Sequence, residues 1–168
     1  MKNCLTVLGI VLTSIFLASC TKSSNEPVYS FKTKIEGNWV TYPDAKFTIS
    51  PNTLDPSISD LLISAGTEQN NINIFIQSAN GYAAGGFNTT DSIPYRMQVS
   101  LFKDDGNYLK IFGSAGPATG TQPYYVVIIT AITATEIRGT ITGNFLYNNY
   151  DVESINFTEG EFVATKNQ

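Results

Sequence analysis

The sequence predicts an all-β fold, an antiparallel β-sandwich or flattened barrel of about eight or nine strands. Three observations predict it. From residue 28 onward the chain is rich in Thr, Ile, Val, Tyr and Phe, the side chains that suit a pleated, half-buried surface. Those runs are broken every few residues by Gly, Asn, Asp or Pro, which is turn chemistry. Several runs also alternate strictly between apolar and polar residues, the period-two signature of a strand with one buried face.

Taken in order, Tyr29 to Ile35 and Asn38 to Tyr42 are two short strands around Glu36-Gly37, and Lys46 to Ile49 is a third. Asp55-Pro56 offers an N-cap and first helical position, with Ile58, Leu61, Leu62 and Ala65 at helical spacing. A short helix over 56–65 therefore competes with a strand over Leu61 to Ser64. In Asn71 to Gln77, Ile72, Ile74 and Ile76 share one face. Met97, Val99 and Leu101 repeat that pattern, lead into Asp104-Asp105-Gly106-Asn107, and return through Tyr108 to Gly113. Asp-Gly supplies the positive φ values of a tight turn, so 96–113 is the clearest hairpin.

Tyr124 to Ile132 is nearly all apolar or β-branched, as expected of a central strand covered on both faces. Next, Ile137, Ile141, Phe145 and Tyr147 fall on one side of a long alternating strand. In the last strand Ile155 and Phe157 are in phase, whereas Phe162 and Ala164 are shifted by one. A one-residue slip turns an apolar set outward, so a bulge near Glu159-Gly160 is expected to restore it. The segments 79–94 and 114–123 read as the longest loops.

Ahead of this domain the sequence reads as an address. Lys2 provides a positive n-region, and Leu5 to Phe16 form an apolar stretch of h-region length, short for a bilayer core of about 30 Å. Leu17-Ala18-Ser19-Cys20 resembles the lipobox of bacterial lipoproteins, in which small residues admit the signal peptidase and the cysteine thiol takes a diacylglycerol. The expected organisation is a removed signal peptide over 1–19, a lipidated flexible tether over 20–27, and one β-sandwich domain over 28–168. An ordinary secretory signal with a chance cysteine is the alternative. On the lipobox reading Cys20 is the lone cysteine of the mature chain, since Cys4 lies in the discarded segment. The predicted partner of Cys20 is membrane lipid, through acyl chains that anchor without spanning. The tether Thr21 to Pro27 is too polar to order itself. Only Glu26 in it is acidic, so periplasmic and cell-surface orientations, at the outer or inner membrane, both stay open.

The net charge of −4 and a pI near 4.7 argue against nucleic acid, which requires clustered Lys and Arg. Histidine is absent, which removes Ser-His-Asp and Cys-His machinery and His-ligated zinc. No Gly-rich phosphate-binding motif stands at a strand-to-helix junction. No cofactor or metal is expected.

Two stretches carry a resemblance. Phe31-Lys32-Thr33-Lys34-Ile35-Glu36-Gly37-Asn38-Trp39 resembles the opening of small Bacteroidota lipoproteins, where a Phe-x-Ala-x-Ile-Asp-Gly strand precedes an aromatic. Ile137 to Phe145, followed by Asn156-Phe157-Thr158-Glu159-Gly160-Glu161-Phe162, resembles their final hairpin. The resemblance implies an extracytoplasmic lipoprotein with an all-β domain. Those families are largely of unknown function, so no catalytic or binding residue carries over.

Candidate sites follow from the residues. Trp39 and the run Tyr147-Asn148-Asn149-Tyr150 offer rings and amides, the groups that stack on and hydrogen-bond to sugars. Together with Tyr42, Tyr82, Tyr95, Tyr124 and Tyr125 they outnumber what a minimal core needs, although aromatics also fill cores and pair across strands. Glu159 and Glu161 share a strand face at about 6–7 Å, close to the spacing of carboxylate glycosidases. A solvent-facing strand explains them equally. Asp104, Asp105 and Asn107 supply about three oxygens, where calcium takes six to eight. Asp91-Ser92-Ile93 resembles the O-glycosylation acceptor of extracytoplasmic Bacteroidota proteins, with Ser92 as the modified residue. The functional expectation is a non-catalytic binding or structural module of the cell envelope, contacting a glycan or an envelope protein. The alternative is a carboxylate-dependent hydrolase acting on an envelope or dietary polysaccharide.

Overall fold

A computed structural model describes residues 28–88, 96–104, 106, 109–113, 125–148 and 153–168. Twelve strands are present: β1 (Ser30–Ile35), β2 (Asn38–Pro43), β3 (Lys46–Pro51), β4 (Ser59–Gly66), β5 (Asn70–Ser78), β6 (Gly85–Asn88), β7 (Arg96–Asp104), β8 (Leu109–Gly113), β9 (Tyr125–Ile132), β10 (Glu136–Gly143), β11 (Phe145–Asn148) and β12 (Glu153–Lys166). The fold class is all-β, consistent with a sandwich or flattened barrel and not closed into a barrel. Twelve strands stand where eight or nine are expected: the run 136–148 is divided at Asn144 into β10 and β11, and β6 forms within 79–94, a segment expected to be a loop, by pairing with β9.

The last strand organises the molecule. β12 runs between β10 and β1, and the layer β6-β9-β10-β12-β1-β2 is built on it. At its C-terminal end it makes a short parallel pairing with β3, Thr165 with Lys46 and Lys166 with Phe47, so the sheet is mixed rather than wholly antiparallel. At its N-terminal end it pairs with β11, which touches β8 through Tyr147 and Gly113. The remaining strands run β3-β4-β5-β7-β8. Their order therefore leads from one end of β12 to the other, laying the second layer across the first. Strands that turn from one layer into the other form the corners of such packings.

The corner is legible in burial. On β10 and β12 the inward residues are Ile137, Ile141, Gly160, Phe162 and Ala164, whereas beyond the bend they are Leu146 and Phe157. Both strands of this hairpin change face at the same level, between Ile141 and Asn144 on one and between Phe157 and Gly160 on the other. The bulge expected near Glu159-Gly160 lies here: opposite β1, Thr33 faces Gly160 and Ile35 faces Phe157. Thr33, fully buried, donates its Oγ1 proton to the Glu159 carbonyl at 2.7 Å, so the irregular backbone keeps a partner. Beyond the bend Leu146 is in the core, so the inward phase of Ile137 and Ile141 does not run on unchanged into β11.

Two layers enclose one apolar core. Ile72, Ile74 and Ile76 of β5, Leu61 and Ile63 of β4, and Val99 and Leu101 of β7 face Phe31, Phe157, Phe162, Val127 and Ile129 of the first layer. The 96–113 hairpin forms as expected, Asp104 opposite Leu109, and Gly106 (φ 87°) donates its N–H to Asp104 Oδ1 at 2.7 Å.

Two other expectations are corrected. Residues 56–65 are not helical: β4 begins at Ser59, and Asp55 Oδ1 instead accepts from Ser57 N (3.0 Å) and Ser57 Oγ (2.6 Å), closing a turn. Pairing of Leu61 and Ile63 with Ile76 and Ile74 outweighs the local cap, and no helix occurs among the described residues. β9 is central, between β6 and β10, but it is covered on one face only. Tyr125, Val127 and Ile129 are buried, while Ile128 is 46% exposed.

Candidate functional site

Trp39 opens the site. It follows the turn Glu36-Gly37, both residues of which have positive φ (49° and 78°). The turn is fixed from outside: Asn156 donates its backbone N–H to Glu36 Oε1 at 2.6 Å and its amide to Glu36 Oε2 at 3.1 Å, while Glu36 N donates to Asn156 O. The start of β2 is thereby tied to β12. The alternation of β2 then points Tyr42 into the core, 8% exposed, and leaves Trp39 51% exposed on the outer face.

Cross-strand register supplies the neighbours. Thr41, Lys32, Glu161 and Thr140 form one row across β2, β1, β12 and β10, and Trp39 stands opposite Lys34. Thr142 faces Glu159 on the next row. A shallow depression of about 380 Å³ is lined by Trp39, Lys32, Thr140, Thr142, Glu159 and Glu161 together with Ile141 and Gly160. A second, of about 260 Å³, continues past Arg138, Ser30 and Thr130, and shares Lys32, Thr140 and Glu161 with the first. The two make one furrow along the outer face.

Its charges balance. Lys34 Nζ meets Glu159 Oε1 at 3.2 Å, and Arg138 Nε meets Glu136 Oε1 at 2.6 Å. Lys32 Nζ lies over the Trp39 ring, 4.9 Å from its centroid, with Lys34 Nζ at 6.0 Å. Among the described residues no carboxylate is within salt-bridge distance of Lys32, and no cation is within that distance of Glu161. An ammonium on an exposed indole is worth about 0.5–1 kcal/mol, comparable to an exposed ion pair.

The other candidates fare differently. Glu159 and Glu161 do share the outer face, but both are exposed, and Glu159 is neutralised by Lys34. Nothing there excludes water or separates an acid from a base, as carboxylate hydrolysis requires. Three aromatics offered as surplus are structural. Tyr125 is fully buried, and burial pushes the Tyr42 phenol up to about 12. Tyr82 Oη lies 2.7 Å from Ile76 O and 2.5 Å from Ser59 O; burial raises its pKa above the ordinary value. Tyr147 and Asn148 lie in β11, opposite Ser154 and Glu153 of β12. Cys20, Ser92, Tyr95, Asp105, Asn107, Tyr124, Asn149 and Tyr150 lie outside the described residues. The described residues hold no group of three His, Cys, Asp or Glu placed to bind a metal. Among the described residues no helix is long and apolar enough to cross a membrane.

Sequence reasoning missed the threonines, Lys32 and the pairing of both depressions. Alternation placed Thr140 and Thr142 on a polar face, but only register shows that this face meets Trp39. Comparison with known proteins identifies no relative: no family model, no curated protein and no solved structure matches this chain.

Proposed function

We propose that this chain is a lipid-anchored, extracytoplasmic lipoprotein whose β-sandwich is a non-catalytic binding module of the cell envelope, with the furrow at Trp39 as its glycan-binding surface. The lipobox-like Leu17-Ala18-Ser19-Cys20 and the resemblance to small Bacteroidota lipoproteins support the anchor. The observation that carries the binding reading is Trp39: a half-exposed indole on a sheet face, flanked by hydroxyl and carboxylate side chains. An indole face stacks on the C–H face of a pyranose, and the surrounding oxygens fix orientation by hydrogen bonds. Open, charge-balanced surroundings suit binding rather than turnover.

Two experiments test the two halves. Labelled fatty acid supplied to expressing cells should enter the wild-type protein and not Cys20→Ala, which should leave the membrane fraction; an unlabelled wild-type protein overturns the anchor. A glycan array probed with the full chain in detergent should give a discrete set of bound sugars, whereas release of reducing ends from those sugars would favour the hydrolase instead.

A further inference from the structure

The register sets Lys32 directly opposite Glu161, yet the ammonium sits on Trp39 instead, leaving that carboxylate without a cation among the described residues. The side chain thus covers the ring that a sugar would stack on. We propose that Lys32 is a movable cover of the Trp39 platform, with Glu161 as its alternate seat, and that the furrow takes a neutral glycan chain. The inference rests on the glycan-binding reading of this face.

The argument is one of exchange. A pyranose stacking on Trp39 displaces the ammonium from the indole. If Lys32 had nowhere to go, each binding event would forfeit the cation–ring attraction. Glu161, one strand spacing away on the row Thr140–Glu161–Lys32, recovers a similar amount as an ion pair. Neutrality of the ligand follows from the lining. Lys34 and Arg138 are already matched by Glu159 and Glu136, and Lys32 is matched by Glu161 once it moves. No net field remains to reward an acidic or basic sugar. Two depressions sharing one row give room for more than one sugar unit along the face.

Trp39 is the only tryptophan of the chain, so its fluorescence reports on this ring alone. The full chain in detergent is titrated with cellotetraose, xylotetraose, mannotetraose and tetragalacturonate, in wild type, Lys32→Met, Glu161→Gln and the double variant. At least one neutral tetraose is expected to shift the emission, with tetragalacturonate weaker. Lys32→Met should tighten binding by no more than about two-fold where Glu161 is present to take the displaced ammonium, and by about two- to five-fold in the Glu161→Gln background, the loss of one exposed cation–ring contact, and should raise quenching of free Trp39 by acrylamide. Glu161→Gln should weaken binding by about two-fold alone and have no effect in the Lys32→Met background. Independent effects of the two substitutions, weaker binding in Lys32→Met, or preference for tetragalacturonate would overturn the cover while leaving a glycan site. Emission unchanged by every sugar in every variant would overturn the cover and the glycan reading together.

Discussion

At Gly139 and Gly143 the absence of a side chain is what lets two aromatic rings lie across β10. Gly139 stands opposite Phe162 and Gly143 opposite Tyr125. A β-carbon at the first would strike the Phe162 ring and the Ile128 carbonyl, and at the second the Tyr125 ring. Both rings are buried and cannot swing out without opening the core, so Gly143→Ala should cost about 1–3 kcal/mol in chemical unfolding, typical of overpacking. Thr33→Val removes the partner of the bulge carbonyl while keeping volume, and should cost about 1–2 kcal/mol for the same reason that buried acceptors need donors. Proton linkage gives a third expectation. The folded-state pKa of Tyr42 is raised to about 12 from 10.0, and that of Tyr82 is raised in the same direction. The unfolded chain therefore loses these protons first as pH rises. Their contribution is complete below about pH 10 and declines as pH climbs toward 12. Denaturation midpoints measured from pH 8 to 12 should be level and then fall, and Tyr42→Phe should flatten part of the fall.

Among the elements, those with strong alternation were legible from residues alone. β5, with Ile72, Ile74 and Ile76, and the β7–β8 hairpin around Gly106 follow directly from period two and turn chemistry. The bulge in β12 was legible too, because Phe157 and Phe162 cannot both face the core without it. What stayed hidden was that the run through β10 and β11 changes face at the same level as β12. Gly143 and Asn144 carry no apolar signal that distinguishes a bend from a straight strand, and only the second layer at β8 requires the turn. The 56–65 segment misled because its local signals were real: Asp55 does cap a turn, but cross-strand pairing of β4 with β3 and β5 overrides helical spacing. Gly66 ends that strand at φ 106°, where a β-carbon would strike the Asn70 carbonyl and approach Tyr42 Cδ1 to 3.1 Å. Gly66→Ala should accordingly destabilise more than a surface Gly81→Ala, whose added carbon meets nothing within 4 Å, when both are compared by thermal melting.

The whole sandwich is held without covalent cross-links. Both cysteines, Cys4 and Cys20, precede residue 28, so the sandwich has no disulfide. Its unfolding midpoint should be the same with and without reductant. The candidate site belongs to this scale because no single motif encodes it. Trp39 was recognisable as an aromatic with no assigned place in the core, but Lys32, Thr140 and Glu161 lie about twenty to one hundred and thirty positions apart along the chain and meet only through the β10–β12–β1 register. The central claim is that this register builds a binding face on Trp39. The measurement that tests it most directly sets wild type beside Trp39→Ala on one glycan array, with unfolding of both followed in urea. The expected result is sugar binding by wild type that disappears in Trp39→Ala, at unfolding free energies within about 1 kcal/mol, as suits a half-exposed ring. Equal binding by both proteins, or no sugar bound by the wild type, would contradict the claim.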